Sequence, residues 1–298
     1  MELWIVVTFA AAAVQTLRFM LQKKVRASGL STGGATFSRF VFAAPLSVLI
    51  AWAVGRALDP SLAPPPPGFW AYALGGGLGQ IAGTFCTVAL FSLRNFAVGI
   101  AFTKTETVQV AVLSALVLGE AVTGAGLLAI LIGLVGVILL SLPAGGLATR
   151  LVFNRAMALG LFGGAAFGLS AIGYRGAALS LGDAHFFFRA AATLAAVTVM
   201  QTAIMGFWLR AVEPGQITRV LKGWRITGLV GLTGMLGSLC WFTAFTLQNA
   251  AYVRALGQVE LIFGLLVTAL IFRERITRRE LSGTAFLGIS IVMIVMLN

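Results

Sequence analysis

The sequence predicts an all-α polytopic membrane protein. It holds ten transmembrane helices arranged as two inverted five-helix repeats, residues 1–145 and 146–298. Three observations carry this expectation: an apolar composition, the length of the apolar runs, and an internal duplication. Of 298 residues, 59% are hydrophobic and 10% are charged. A soluble domain carries roughly 25% charged residues. The composition therefore excludes a water-soluble enzyme, a disordered chain and a nucleic-acid-binding domain. The net charge of +12 points to cations gathered in cytoplasmic loops rather than to nucleic acid.

A spanning helix needs about 20 apolar residues. Ten such runs are expected, near 3–22, 32–54, 69–92, 95–118, 122–142, 156–176, 184–208, 225–247, 250–272 and 281–297. They are too long and continuous for barrel strands, which alternate over about ten residues. The first run follows Met1-Glu2 and precedes Lys23, Lys24 and Arg26, so it reads as a retained helix with its N-terminus outside rather than a cleaved signal. With loops assigned alternately to two faces, one face receives fourteen cations and the other receives Arg56 and Arg175. The positive-inside rule places the fourteen in the cytoplasm and both termini on the periplasmic side. Pro45 is expected to kink the second segment. Pro64–Pro67 stiffens the outer loop that follows.

Residues 70–127 align without a gap on 224–281, with sixteen identities. They include Trp70/Trp224, Cys86/Cys240, Asn95/Asn249, Glu106/Glu260, Glu120/Glu274 and Thr123/Thr277. Arg39 matches Arg189 after a four-residue slip. Each copy holds an odd number of spans, so the second enters the membrane upside down. Inverted repeats about an axis in the membrane plane are a common plan of secondary transporters.

Charges inside the spans are the candidate functional groups, because each costs about 2.5–3.5 kcal/mol at a helix centre. Lys104, Glu106 and Glu260 fall near mid-depth. Lys104 and Glu106 do not share a helix face, so each wants an interhelical or substrate partner. Two readings stand side by side. In one, the charges form structural pairs. In the other they bind substrate, Lys104 holding a carboxylate while Glu106 or Glu260 faces an ammonium; alternatively, a buried Glu carries a proton. Arg18 and Arg254 fit either snorkelling or the site. Arg39 and Arg189 read as scaffold anchors to helix-end carbonyls or as gate residues. Phe85, Phe102, Trp241 and Tyr252 are candidate aromatic walls, with Phe245 among them. Trp4 and Tyr174-Arg175 fit an interfacial belt.

Glycines at 75, 79 and 83, at 160, 164 and 168, and at 228, 231, 234 and 237 predict close helix packing. Arg94-Asn95 and Gln248-Asn249 are candidate hinges. No cofactor and no metal site are expected: His185 is the lone histidine, and Cys86 and Cys240 form no C-x-x-C pair. No nucleophile–base pair points to an enzyme.

The segment Thr105-Glu106-Thr107 with Leu118-Gly119-Glu120, repeated as Val259-Glu260-Leu261 with Phe272-Arg273-Glu274, resembles the drug/metabolite transporter superfamily built from EamA domains. The second copy departs from the pattern at Arg273. With its outside termini, the chain is similar to the YddG-type amino-acid exporters of bacterial inner membranes. The resemblance implies a cavity between helices one, three, four, six, eight and nine, with five and ten at the periphery. It implies export of amino acids or related small metabolites by alternating access. A drug or nucleotide-sugar exchanger of the same superfamily is the alternative, and a channel or membrane-embedded enzyme a more distant one.

Overall fold

The fold is known from a computed structural model, which describes residues 2–58, 64–91, 93, 102–141, 155–271 and 277–297, and not the side chains of 141 or 267–271. Among the described residues the regular structure is entirely helical. The helices are α1 (Leu3–Ala27), α2 (Thr32–Val41), α3 (Ala43–Leu58), α4 (Pro67–Leu90), α5 (Glu106–Leu118), α6 (Gly124–Ser141), α7 (Arg155–Ser180), α8 (Phe186–Val212), α9 (Gln216–Lys222), α10 (Trp224–Leu247), α11 (Ala250–Gly257), α12 (Val259–Ile271) and α13 (Arg278–Met296). Among the described residues, seven stretches are long and apolar enough to cross a bilayer, counting α2 and α3 together as Thr32–Leu58, and two shorter apolar helices accompany them. The outer surface bears large apolar side chains such as Phe162, Phe207 and Leu116. A water-exposed monomer seldom shows so wide an apolar face; in a bilayer it needs no cover. This is a multi-pass membrane protein.

Breaks in the helices follow from local chemistry. The second segment parts at Phe42, between α2 and α3. Pro45 has no N–H to donate to the Val41 carbonyl, so the helix cannot run through. The ninth segment parts at Gln258, between α11 and α12. In the fourth, Lys104 and Thr105 form a turn ahead of α5. Glu106 is thus the first residue of α5, and Glu260 the second of α12. Continuous helices were expected over 95–118 and 250–272; both are interrupted part-way. A carboxylate in a helix's first turn faces the positive end of its dipole, which suits the equivalent Glu in each.

Packing is densest where side chains are absent. α4 lies against α7 at Gly76 and Gly173, where a Cβ on Gly173 would meet the Gly76 Cα at 2.6 Å. Gly79 presses on the Ala166 carbonyl at 2.6 Å in the same sense. α6 meets α13 at Gly136 and Gly283, each of which would drive a Cβ into the other's carbonyl oxygen. α1 packs on α10, and α3 on α8. The expected glycine ladder is partly right. Gly79, Gly83, Gly164, Gly231 and Gly234 meet neighbours closely, but Gly75 and Gly228 face open space and Gly76 takes the contact instead. The interfacial placement of Trp4 and Tyr174 is corrected: both are buried. Tyr174 stacks on Phe242 at 4.1 Å between centroids.

Candidate functional site

The broken helices meet around a cavity of about 300 Å³. That is large enough for a small metabolite. α1 contributes Gln15, Thr16, Phe19, Met20 and Lys23; α2 contributes Arg39; α4 contributes Gln80 and Thr87. The broken fourth and ninth segments bring Lys104, Glu106, Arg254 and Glu260, while Phe167, Tyr174, Trp241, Phe242 and Phe245 form aromatic walls.

Each glutamate takes a cation from a distant part of the chain. Lys104 pairs with Glu260. Arg254 Nη1 lies 3.6 Å from Glu106 Oε1. All four side chains are buried, where breaking one partner from a pair strands a charge. Gln15 extends the first pair: its amide donates to Glu260 at 2.6 Å and its carbonyl accepts from the Trp241 indole at 3.1 Å. Arg254 lies 5.0 Å from the Trp241 ring centroid and 5.3 Å from that of Phe245, within cation–π range. So Lys104, Glu106, Glu260, Arg254 and Trp241, singled out in the sequence, converge on one wall.

Other expected site residues sit elsewhere. Phe85 packs edge-on against Trp208, 5.9 Å between centroids. Phe102 is half-buried and, like Phe85, is not among the cavity-lining residues. Tyr252 turns to α6, where its hydroxyl accepts from the Thr123 N–H at 3.1 Å. Arg18 is buried rather than snorkelling: it is 3% exposed and donates to Gln22 at 2.8 Å. Arg189 donates to the Gly182 carbonyl at 2.9 Å, just past the end of α7, as a scaffold anchor would. Arg39, its match in the alignment, instead lines the cavity and donates to Thr84 at 2.9 Å and to Ser238 at 3.4 Å. The candidate hinge Arg94-Asn95 and the motif residues Phe272-Arg273-Glu274 lie outside the described residues. At the other hinge, Asn249 caps α11 by accepting from the Ala251 N–H.

Beside the cavity-lining Tyr174 and Phe245, three helix ends are tied together. Arg175 grips Glu120 with two bonds of 2.6 Å, from Nε to Oε2 and from Nη2 to Oε1. Its Nη1 donates to the carbonyls of Phe245 and Gln248, each at 2.6 Å. A planar guanidinium suits this forked geometry. Gly119 makes it reachable. It ends α5 in the left-handed region at φ 69°, which glycine tolerates, and so turns Glu120 toward Arg175. The lash binds the ends of α5, α7 and α10. The opposite end of the cavity is lined by Lys23, Met20 and Phe91, near the C-terminal ends of α1 and α4.

Residues 2–142 match the EamA-like transporter family. That stretch covers α1 to α6, including Arg39, Lys104, Glu106 and Glu120. No curated protein matches the chain. Twenty-eight chains of solved structures do. One, described as "Crystal structure of protein", is 16% identical, with a TM-score of 0.62 over 97% of this chain and 99% of its own. At that identity the likeness speaks for the fold alone.

Proposed function

We propose that the whole chain is an EamA-type secondary transporter that exports amino acids or related small metabolites by alternating access. Its two halves, residues 1–145 and 146–298, are related by a pseudo-twofold axis in the membrane plane. The observation that carries this reading is the buried cavity in which Glu106 and Glu260, equivalent in the internal alignment, each meet a cation from the other half. The helix contacts support it. Exchanging the halves turns the α1–α10 contact into the α7–α4 contact and returns the α3–α8 and α6–α13 contacts to themselves. Discontinuous helices whose ends point at a central site are a recurrent plan for binding charged substrates in membranes.

The lashed Arg175–Glu120 end lies on the face that also carries both termini, which cation counting assigns to the periplasm. The Lys23 end opens toward the cation-rich face, the cytoplasm. The conformation therefore fits one loaded from inside, as an exporter of a bacterial inner membrane would be. A substrate entering among the two ion pairs would exchange contacts with them, and the Arg175 lash would release as the other end closes. Purified protein in liposomes preloaded with each of the twenty amino acids, with and without a pH gradient, tests the reading. Saturable counterflow of at least one is expected, and the gradient arm reads proton coupling. Leak without saturation, or no counterflow from protein that remains folded, overturns it.

A further inference from the structure

Among the described residues that line the cavity, Arg39, Lys104 and Arg254 share the interior with two carboxylates, Glu106 and Glu260. Both carboxylates are taken, Glu260 by Lys104 and Glu106 by Arg254. Arg39 is 4% exposed and lines the same space, yet its hydrogen bonds go to neutral hydroxyls, those of Thr84 and Ser238. Arg18 lies beside it: a Cβ on Gly234 would stand 3.1 Å from Arg39 Cγ and 3.7 Å from Arg18 Cδ. The hydrogen bond of Arg18 goes to the neutral amide of Gln22. Among the described residues, neither arginine has a carboxylate partner. Two like charges crowded where both side chains are buried are costly unless an anion joins them. A guanidinium is the side chain best shaped to grip a carboxylate or phosphate. Phe19, Phe91, Trp241 and Phe242 line the same hollow and suit a flat apolar body.

We propose that the substrate of this cavity is an organic anion, an apolar or aromatic body bearing an acidic group that Arg39 grips from its seat between Thr84 and Ser238. The inference rests on the transporter reading and narrows its substrate to molecules of net negative charge. Arg39 is then a binding residue, and Arg18 adds to the positive field behind it.

Three probes of one shape and different charge test this on the full chain in detergent: 3-phenylpropionate, phenylalanine and phenethylamine. Trp241, on the cavity wall, gives a fluorescence readout. Saturable quenching by 3-phenylpropionate is expected at a concentration at least tenfold below that for the zwitterion or the amine. Arg39→Gln should raise that concentration tenfold or more, and Arg39→Lys by less, because the charge remains. Equal or tighter binding of phenylalanine or phenethylamine overturns the proposal. So does absence of saturable 3-phenylpropionate binding, or a folded Arg39→Gln protein that binds like the parent. Should Arg39→Gln fail to fold, the ranking of the three probes on the unaltered protein decides alone. Binding in detergent needs no crossing of a membrane. Anion preference without counterflow would therefore sink the transport reading and spare this one, and counterflow of a zwitterion without anion preference would do the reverse.

Discussion

Lys104 and Glu260 form an ion pair across the cavity, each at the break of an interrupted helix. Neither carboxylate nor ammonium reaches solvent freely, since both residues are 8% exposed. Removing one charge from such a pair leaves the other buried and alone, which costs about 3–5 kcal/mol. Glu260→Gln and Lys104→Met should each destabilise the protein on that scale. The double variant Lys104→Met/Glu260→Met should recover most of the loss, because an apolar pair of similar volume fills the same space. Unfolding in detergent measures the cycle. Transport should stay lost in the double variant, which separates a site from a mere brace. A double variant that transports at the parent rate would make the pair purely structural, and wild-type transport by both single variants would remove it from the mechanism.

Arg175 joins Glu120 to two backbone carbonyls, and under the transport reading proposed above this tie favours one conformation over its opposite. Couplings of this sort are worth about 1–3 kcal/mol, or 5- to 150-fold in population. Arg175→Gln should shift the population by about that factor toward a state open at the Glu120 end. The measurement is alkylation of Phe245→Cys, in a background free of Cys86 and Cys240, by an impermeant maleimide added from the side of the membrane on which the Glu120 end lies. The rate should rise when Arg175 is replaced. An unchanged rate would mean that other contacts close this end.

Much of this was legible in the sequence, and the unread part has physical reasons. Apolar run length exposes spans because a bilayer leaves the backbone no other way to satisfy its hydrogen bonds. The ungapped alignment singles out Glu106 and Glu260 because a charge at mid-span is costly and stands out in an apolar background. The breaks before Glu106 and at Gln258 carry no proline. Hydropathy is blind to them, since an unwound turn beside a cavity is as apolar as a helix. Side-chain direction was equally hidden. Tyr252 and Phe85 lie on the right segments but point to α6 and Trp208. Tyr174, next to a charge near a helix end, looked interfacial and proved to be cavity wall. Gln15 carried no signal because a lone amide near mid-span reads as a neutral polar residue; a search for uncharged polar groups in the spans would have found it.

Trp241 gives Arg254 a ring at 5.0 Å and Gln15 an indole N–H at 3.1 Å. Trp241→Phe keeps a ring and loses the donor; Trp241→Leu loses both. A cation–π contact is worth about 0.5–2 kcal/mol, so Trp241→Leu should be less stable than Trp241→Phe by about that amount. The comparison must be repeated in Arg254→Gln, where the gap should close. A gap that persists there would mean the ring acts through packing and not through the guanidinium.

Helix approach at Gly173 leaves no room for a methyl. Its Cβ would meet Gly76 Cα and N at 2.6 Å each and the Tyr72 carbonyl at 2.7 Å. These are backbone atoms, which cannot swing aside as a side-chain tip can. Gly173→Ala must therefore push α4 and α7 apart, and overpacking of this kind costs about 1–3 kcal/mol. Gly75 sits one residue from that contact and faces nothing within 4 Å. Gly75→Ala should be neutral or stabilising, since alanine restricts the unfolded backbone and favours the helix by up to about 1 kcal/mol. The pair of variants isolates geometry from composition, because both add one methyl to one glycine of a glycine-rich helix. Equal destabilisation by both in detergent would show that the α4–α7 contact is looser than the distances here require.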